Sequence, residues 1–287
     1  LISTYICHPS MCNDNLSGIS VSTYLAKYLL SLNNYYTYRF VFVPETIGAI
    51  AFLYNNLNVL KRNVIGGYVV THVGDEGDFT YLQTRIENQL VDKITLFLLK
   101  EENINHKIRQ FFDCGSDERQ YNYPGVDLNI GSLMKTKYLE SNEYHTSGDN
   151  LNYVTEKGLN DSLNMYKKCI NIFETNHKYI SKSICEPKLD KHGLWDNIGG
   201  TKNIIDKSLY IKVLYYCDGK NDILDIANTL SKKYNEILEI INILLKCDLI
   251  ENIIKSEHLY DIKRLKFIKN NYNNLYNLDI LKNGMKD

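Results

Sequence analysis

Short runs of β-branched and aromatic residues that alternate with segments of helical period leave a chain few ways to fold, and this sequence is built on that alternation. Residues 2–7 (Ile-Ser-Thr-Tyr-Ile-Cys), 38–43, 64–73 and 126–133 read as strands, because such side chains fit a pleated, half-buried surface. Between them Val21, Tyr24, Leu25, Tyr28 and Leu29 recur at helical spacing, and residues 47–54, 90–99 and 155–179 read as further helices. Along the last of these Leu159, Leu163, Tyr166 and Ile170 share one face. Strands alternating with helices predict an α/β sheet and not a sandwich or a bundle. In such sheets ligands gather in the loops beyond the strands' carboxyl ends, so those loops are where chemistry is sought.

Near Cys185 the pattern changes. Residues 185–203 read as linker and turn, and helical patterns follow at 205–217, 221–231 and 234–247, with a two-strand wing at 249–254 and 258–262. Three short helices and a hairpin predict a small winged-helix domain. Its third helix, normally the DNA reader, carries Glu236 and Glu239 with only Lys246, the wrong sign for phosphates. A packing or partner-docking role is expected in its place. The expected division is 1–184, 185–262 and a tail at 263–287.

Composition narrows the function classes. Lys and Arg number 33 against 34 Asp and Glu, a net charge of −1 over 287 residues, which argues against coating nucleic acid or an anionic membrane through bulk charge. No apolar run approaches the roughly 20 residues that span a bilayer, and no basic-then-apolar leader opens the chain. The seven cysteines are odd in number and scattered, so reduced thiols in a cytoplasmic protein are expected. The sequence starts at Leu1 inside the first strand run, which predicts an upstream segment.

Four segments fall in loops after predicted strands: 8–18 (from His8 to Gly18), 44–48 (with Glu45), 115–118 (Gly115-Ser116-Asp117-Glu118) and 144–149 (from Tyr144 to Asp149). Imidazoles and carboxylates together suit zinc or a similar cation, and a hydrolytic metal site also needs an unligated carboxylate to move a proton. His8, Asp14 and His145 are candidate ligands, leaving Glu45 as that base. Each residue also has a plainer reading. A single His is most often a surface or core residue, Asp-Asn-Leu-Ser-Gly is a plausible helix cap, and Glu45 would cap the helix that follows it. Asp117 and Glu118 would be a polar turn, and residues 74–78 a hairpin turn. Cys7, His8 and Cys12 offer a thiolate alternative, although Cys7 would point away from its neighbour if it ended a strand.

In combination, the order His…Asp-Asn-x-Ser-Gly…Glu-x-x-Gly…Ser-Asp…Tyr-His-Thr-x-x-Asp resembles the zinc-dependent aminopeptidases of the bacterial leucyl aminopeptidase type. More closely, STYICHPSMCNDNLSG, PETIGAIAFLY, GSDERQYNYPG and YHTSGDNLNYV resemble a bacterial aminopeptidase-like family of uncharacterised function. That family joins a peptidase-like domain to a carboxyl-terminal winged helix and carries further sequence upstream. The resemblance spans about residues 1–262. It implies a zinc-exopeptidase-like mixed sheet flanked by helices, with His8 as the first metal ligand, Asp14 as the bridging carboxylate, His145 as the last ligand and Glu45 as general base. Asp149 would support the site near His145, and Asp117 would support it or line the substrate pocket.

The departures from the pattern matter as much. Thr46 stands where the aminopeptidases have a second, metal-binding carboxylate, and their further Asp ligand falls in the stretch 71–74, where His72 is the available substitute. The His-x-Asp that orients the first ligand reads His8-Pro9-Ser10. One zinc ion is therefore expected, not two. The implied reaction is hydrolysis of an amino-terminal residue or a small amide by a metal-activated water, with Glu45 moving the proton. A peptide or small N-acyl compound would be the substrate, and a protein partner or second copy would meet the winged helix. A deacylase or cyclase on the same fold, and a catalytically degenerate binding module, stay open beside it.

Overall fold

In the computed structural model, which describes residues 1–194 and 207–253, the first strand run becomes β1 (Ile2–Tyr5), followed by α1 (Ser17–Leu30), β2 (Phe40–Val43), α2 (Ile47–Asn63) and β3 (Gly67–Val69). Then come β4 (Phe79–Leu82), α3 (Leu90–Glu101), β5 (His106–Arg109), the single turn α4 (Glu118–Tyr121), β6 (Ile130–Met134) and α5 (Glu156–Thr175). The six strands form one sheet in the order β2-β1-β3-β6-β4-β5. β2, β1, β3 and β6 run parallel, whereas β4 is antiparallel to β6 and parallel to β5. The sheet is mixed, as expected. From β1 the chain moves outward to β2 and then crosses back to β3, and that reversal opens a crevice at the carboxyl ends of the parallel strands.

Helices pack on the sheet through the faces their periodicity provides. α1 buries Val21, Leu25 and Leu29, four residues apart, while Tyr24 stays exposed. Ala49, Leu53 and Leu60 of α2 close a core with Val69, Tyr121, Leu128 and Ile130. The two strands β4 and β5 were not foreshadowed by the sequence pattern. Residues 74–78 are not a hairpin turn either, because β6 lies between β3 and β4 and the segment crosses the sheet's end. At the sheet's edges, β5 carries Lys107 and Arg109, both paired with Glu140, while β2 reads Phe40-Val41-Phe42-Val43 without a charge.

The chain divides into two compact units between Thr175 and Asn176, ahead of the change in composition at Cys185. α5 ends there because the next residues are claimed by a second sheet. β7 (Lys178–Ser181) pairs antiparallel with both β8 (Asp218–Asp222) and β9 (Ile250–Asn252). α6 (Lys207–Tyr216), α7 (Ile223–Leu230) and α8 (Tyr234–Lys246) complete the unit as a winged-helix domain. α7 starts at a reciprocal cap in which the Asp225 N–H donates to Asp222 and the Asp222 N–H to Asp225, satisfying two backbone donors at once. Ile223, Ile226, Ile237, Ile240, Ile241 and Leu244 form its core. The exposed side of α8 presents Asn235, Glu239, Asn242, Leu245 and Lys246. Residues 195–203 of the expected linker, the expected wing strand at 258–262 and the tail at 263–287 lie outside the described residues. No helix among the described residues is long and apolar enough to cross a membrane. All seven cysteines are free thiols.

Candidate metal centre

His8 stands on the loop after β1, Asp14 on the turn Cys12–Leu16 that leads into α1, Glu45 on the loop after β2 and His145 on the connection from β6 to α5. The structure brings all four together. His145 Nε2 lies 3.0 Å from Asp14 Oδ2, and His8 Nε2 lies 4.0 Å from the same oxygen. One donor atom from each of His8, Asp14 and His145 falls within 4.8 Å of the other two. Glu45 Oε2 is 3.7 Å from His8 Nε2. Tyr144 stacks on the His145 ring at 3.9 Å between centroids.

The Asp-Asn-Leu-Ser-Gly segment is not a simple helix cap. Asn15 Oδ1 does accept the Gly18 N–H at 3.2 Å in the first turn of α1, but most of the segment's polar atoms are spent on tertiary contacts. Asp149 accepts the backbone N–H of Asn13 at 2.5 Å and of Asp14 at 3.0 Å, so its carboxylate fixes the Asp14 loop. Asn13 accepts the Gly74 N–H and donates to Asp75. Asn15 donates to Thr4 Oγ1 and to the carbonyls of Tyr5 and Val70, and Ser17 donates to the Asn13 carbonyl while accepting the Val73 N–H. A Cβ on Gly18 would sit 2.2 Å from Asn15 Oδ1 and 2.3 Å from the Val70 carbonyl oxygen. Only glycine permits that approach of α1 to the end of β3. The Asp14–Asn15 peptide is cis.

Asp14 is 2% exposed, and its two oxygens face different neighbours. Oδ1 accepts the Tyr5 hydroxyl at 2.5 Å, and that hydroxyl also meets Thr71 Oγ1 at 2.7 Å. Thr71 Oγ1 in turn lies 2.8 Å from His72 Nδ1. Burial, reinforced by the Asp14 charge, holds the Tyr5 phenol well above its ordinary range, so it stays a donor. Oδ2 alone faces the two histidines. His72, the possible substitute ligand, is buried behind this chain of hydroxyls, and burial lowers its pKa. It belongs to neither donor group found among the described residues.

Glu45 is held from two sides. Ser116 Oγ donates to its Oε1 at 2.6 Å, and Cys7 Sγ accepts its N–H at 3.1 Å. The next residue, Thr46, adopts φ +60° and donates its N–H to Asp117 Oδ1 at 2.6 Å. Asp117 is fully buried and its Oδ2 has no partner among the described residues. Burial pushes its carboxyl up to about 7; the nearby Glu45 and Glu118 charges add to the rise, and the Thr46 N–H and Arg119 oppose it. Glu118 is buried too, accepting the N–H groups of Gly115 and Ser116 and the Tyr138 hydroxyl. Ser116, Asp117 and Glu118 are thus a buried frame for the Glu45 turn, with only Gly115 of the segment exposed. Ser10, Thr46, His72 and His145 all have positive φ, a conformation that non-glycine residues adopt chiefly where surrounding structure enforces it, often at functional sites.

Tyr5, Asn13 and Ser116 escaped sequence reasoning, although each lies inside a quoted motif. Cys7 was expected to point away from His8. β1 stops at Tyr5, so strand alternation does not reach Cys7, and its sulfur sits 3.4 Å from His8 Nδ1. It joins His8 and Glu45 in a second donor group, from which Cys12 is absent.

A peptidase-like sheet with its candidate site at the carboxyl edge, followed by a winged helix, agrees with what the chain is similar to. Residues 1–176 match the family described as "Domain of unknown function (DUF4910)" and residues 177–252 the winged helix-turn-helix family. The chain belongs to the DUF4910 family. A Clostridium acetobutylicum protein, whose name pairs polysaccharide biosynthesis with an aminopeptidase-like domain, is 43% identical over 239 residues, 83% of this chain and 55% of that protein. A crystal structure titled as a peptidase from Clostridium acetobutylicum superposes with a TM-score of 0.80 at 40% identity, covering 88% of this chain and 56% of that one. This chain thus spans little more than half the length of these relatives. A zinc aminopeptidase from Bacillus subtilis aligns at 15% identity over 60% of this chain and 45% of its own, with a TM-score of 0.49, a likeness too slight to carry a functional argument.

Proposed function

We propose that the chain is a metal-dependent amide hydrolase that holds one zinc ion through His8 Nε2, Asp14 Oδ2 and His145 Nε2 and uses Glu45 as general base. The convergence of three donor atoms within 4.8 Å, with a further carboxylate beside them, carries the reading. Two imidazoles and one carboxylate are a donor set that suits zinc in a three-ligand site with an open position. The Tyr5 hydroxyl on Asp14 Oδ1 favours one ion over two, since it takes the oxygen a second ion would need. Zinc, when bound, supplies Lewis acidity that polarises an amide carbonyl and acidifies water.

The chain's own residues supply the rest. Ser116 occupies Glu45 Oε1 and leaves Oε2 free to take a proton from the attacking water and return it to the departing amine. Asp149 and Tyr5 immobilise Asp14 from the backbone side and the Oδ1 side, and Tyr144 sets the plane of the His145 ring. The substrate class is a peptide amino-terminus or a small N-acyl compound. The relative's name refers to polysaccharide biosynthesis, which supports testing small N-acyl compounds beside aminoacyl amides. The winged helix, whose α8 face lacks a basic stripe, is assigned to a protein partner or a second copy, and the protein to the cytoplasm.

Metal content per chain, by elemental analysis, tests the reading. One zinc in the wild type, lost in His8→Ala/His145→Ala, is the expected result. No zinc even after zinc is supplied would overturn it in favour of a binding module, which Thr46 in place of a second carboxylate also favours.

A further inference from the structure

A ligating histidine holds its metal well only when its other ring nitrogen is fixed by an acceptor, which sets the tautomer and the ring's orientation. The aminopeptidase pattern supplies that acceptor as an Asp two residues after the histidine, and here the position is Ser10. Ser10 is exposed at φ +64°, and no hydrogen bond joins it to His8 among the described residues. The partner of His8 Nδ1 is instead Cys7 Sγ, at 3.4 Å. When Nε2, turned toward Asp14 and Glu45, is taken by the metal of the zinc reading, Nδ1 carries the hydrogen and the sulfur accepts it. The same sulfur accepts the Glu45 N–H at 3.1 Å.

We infer that Cys7 is a positioning residue of this site: it orients His8 as a metal ligand and ties the backbone of the general base to it. The inference rests on the zinc reading above. A sulfur bonded to both neighbours fixes the spacing between His8 Nε2 and Glu45 Oε2, 3.7 Å in this structure, which no acceptor on His8 alone would do. Toward the ion held by His8, Asp14 and His145, Cys7 acts from the Nδ1 edge of the ring and not from the Nε2 edge where Asp14 and His145 gather, so its role there is orientation and not ligation.

Competition against a chromophoric chelator measures zinc affinity in the full chain and in Cys7→Ala, Cys7→Ser and Cys7→Asp. Removing the acceptor in Cys7→Ala is expected to weaken zinc binding by about 10- to 100-fold, and Cys7→Asp, which restores a carboxylate acceptor, to return it to within about threefold of wild type. Circular dichroism checks the fold, which an exposed loop residue outside β1 is not expected to disturb. Cobalt(II) in place of zinc is expected to show no thiolate-to-cobalt charge-transfer band in the wild type. Such a band, lost in Cys7→Ala, would overturn the positioning role by making Cys7 a ligand. Wild-type affinity in Cys7→Ala would overturn it outright. A wild-type chain that binds no zinc would instead overturn the metal reading itself, and this inference with it.

Discussion

Asp117 makes the frame around Glu45 measurable. Its carboxyl is fully buried, takes one N–H bond from Thr46 and leaves Oδ2 without a partner among the described residues, and its pKa is raised from 3.8 to about 7. A rise of that size corresponds to about 4 kcal/mol of preference for the protonated form. Because the folded pKa is the higher one, the native state binds the proton more tightly. The contribution of Asp117 to stability is therefore largest at low pH, falls as pH rises from about 4 to about 7, and is flat above that. Asp117→Asn keeps an acceptor for the Thr46 N–H and has no charge to lose. The stability difference between variant and wild type, read by urea unfolding, should move in the variant's favour by about 3 kcal/mol between pH 5 and pH 8. A difference that stays constant to within about 0.5 kcal/mol across that window would refute the reasoning, since extrapolated unfolding energies resolve a change of the expected size.

Three further outcomes follow from the site. Glu45→Gln keeps its zinc by elemental analysis while turnover falls by roughly 100-fold or more, the contribution expected of a positioned base; turnover at the wild-type rate would remove Glu45 from the mechanism. Tyr5→Phe leaves buried Asp14 Oδ1 without its donor and should lower the unfolding free energy by about 2 kcal/mol, read from the urea midpoint. Gly18→Ala drives a methyl into Asn15 and the Val70 carbonyl and should destabilise by about 3 kcal/mol, with weaker zinc binding as the Asp14 loop shifts.

The parts of this molecule legible in the sequence are those with a strong local signal. Apolar spacing marked α1 and α3, and turn residues bounded β1 and β2, so the loops that hold His8, Asp14 and Glu45 were placed where the structure has them. β4 was missed because the acidic, glycine-bearing stretch 74–78 ahead of it read as a turn, and β5 because His106-Lys107-Ile108-Arg109 holds one apolar residue in four. α5 was extended too far because no Gly or Pro between Thr175 and Tyr179 marks its end, and β7 takes up the residues from Lys178. Within the site, ligand types were readable from composition and order. The roles of Tyr5, Ser116 and Cys7 were not, because each is fixed by a hydrogen bond across the fold: Tyr5 to Asp14, Ser116 to Glu45 over 71 positions, Cys7 to the Glu45 backbone.

The two borders of the six-stranded sheet are unlike. β5 ends it with Lys107 and Arg109, whose charges guard an open row of backbone donors and acceptors against a newcomer. β2 ends it with Phe40-Val41-Phe42-Val43 and is bonded on one side, to β1. Any seventh strand, whether from a neighbouring molecule or a displaying peptide, meets a polar barrier at one border and an uncharged, strand-forming template at the other. Among the described residues, β2 is therefore the less guarded of the two borders.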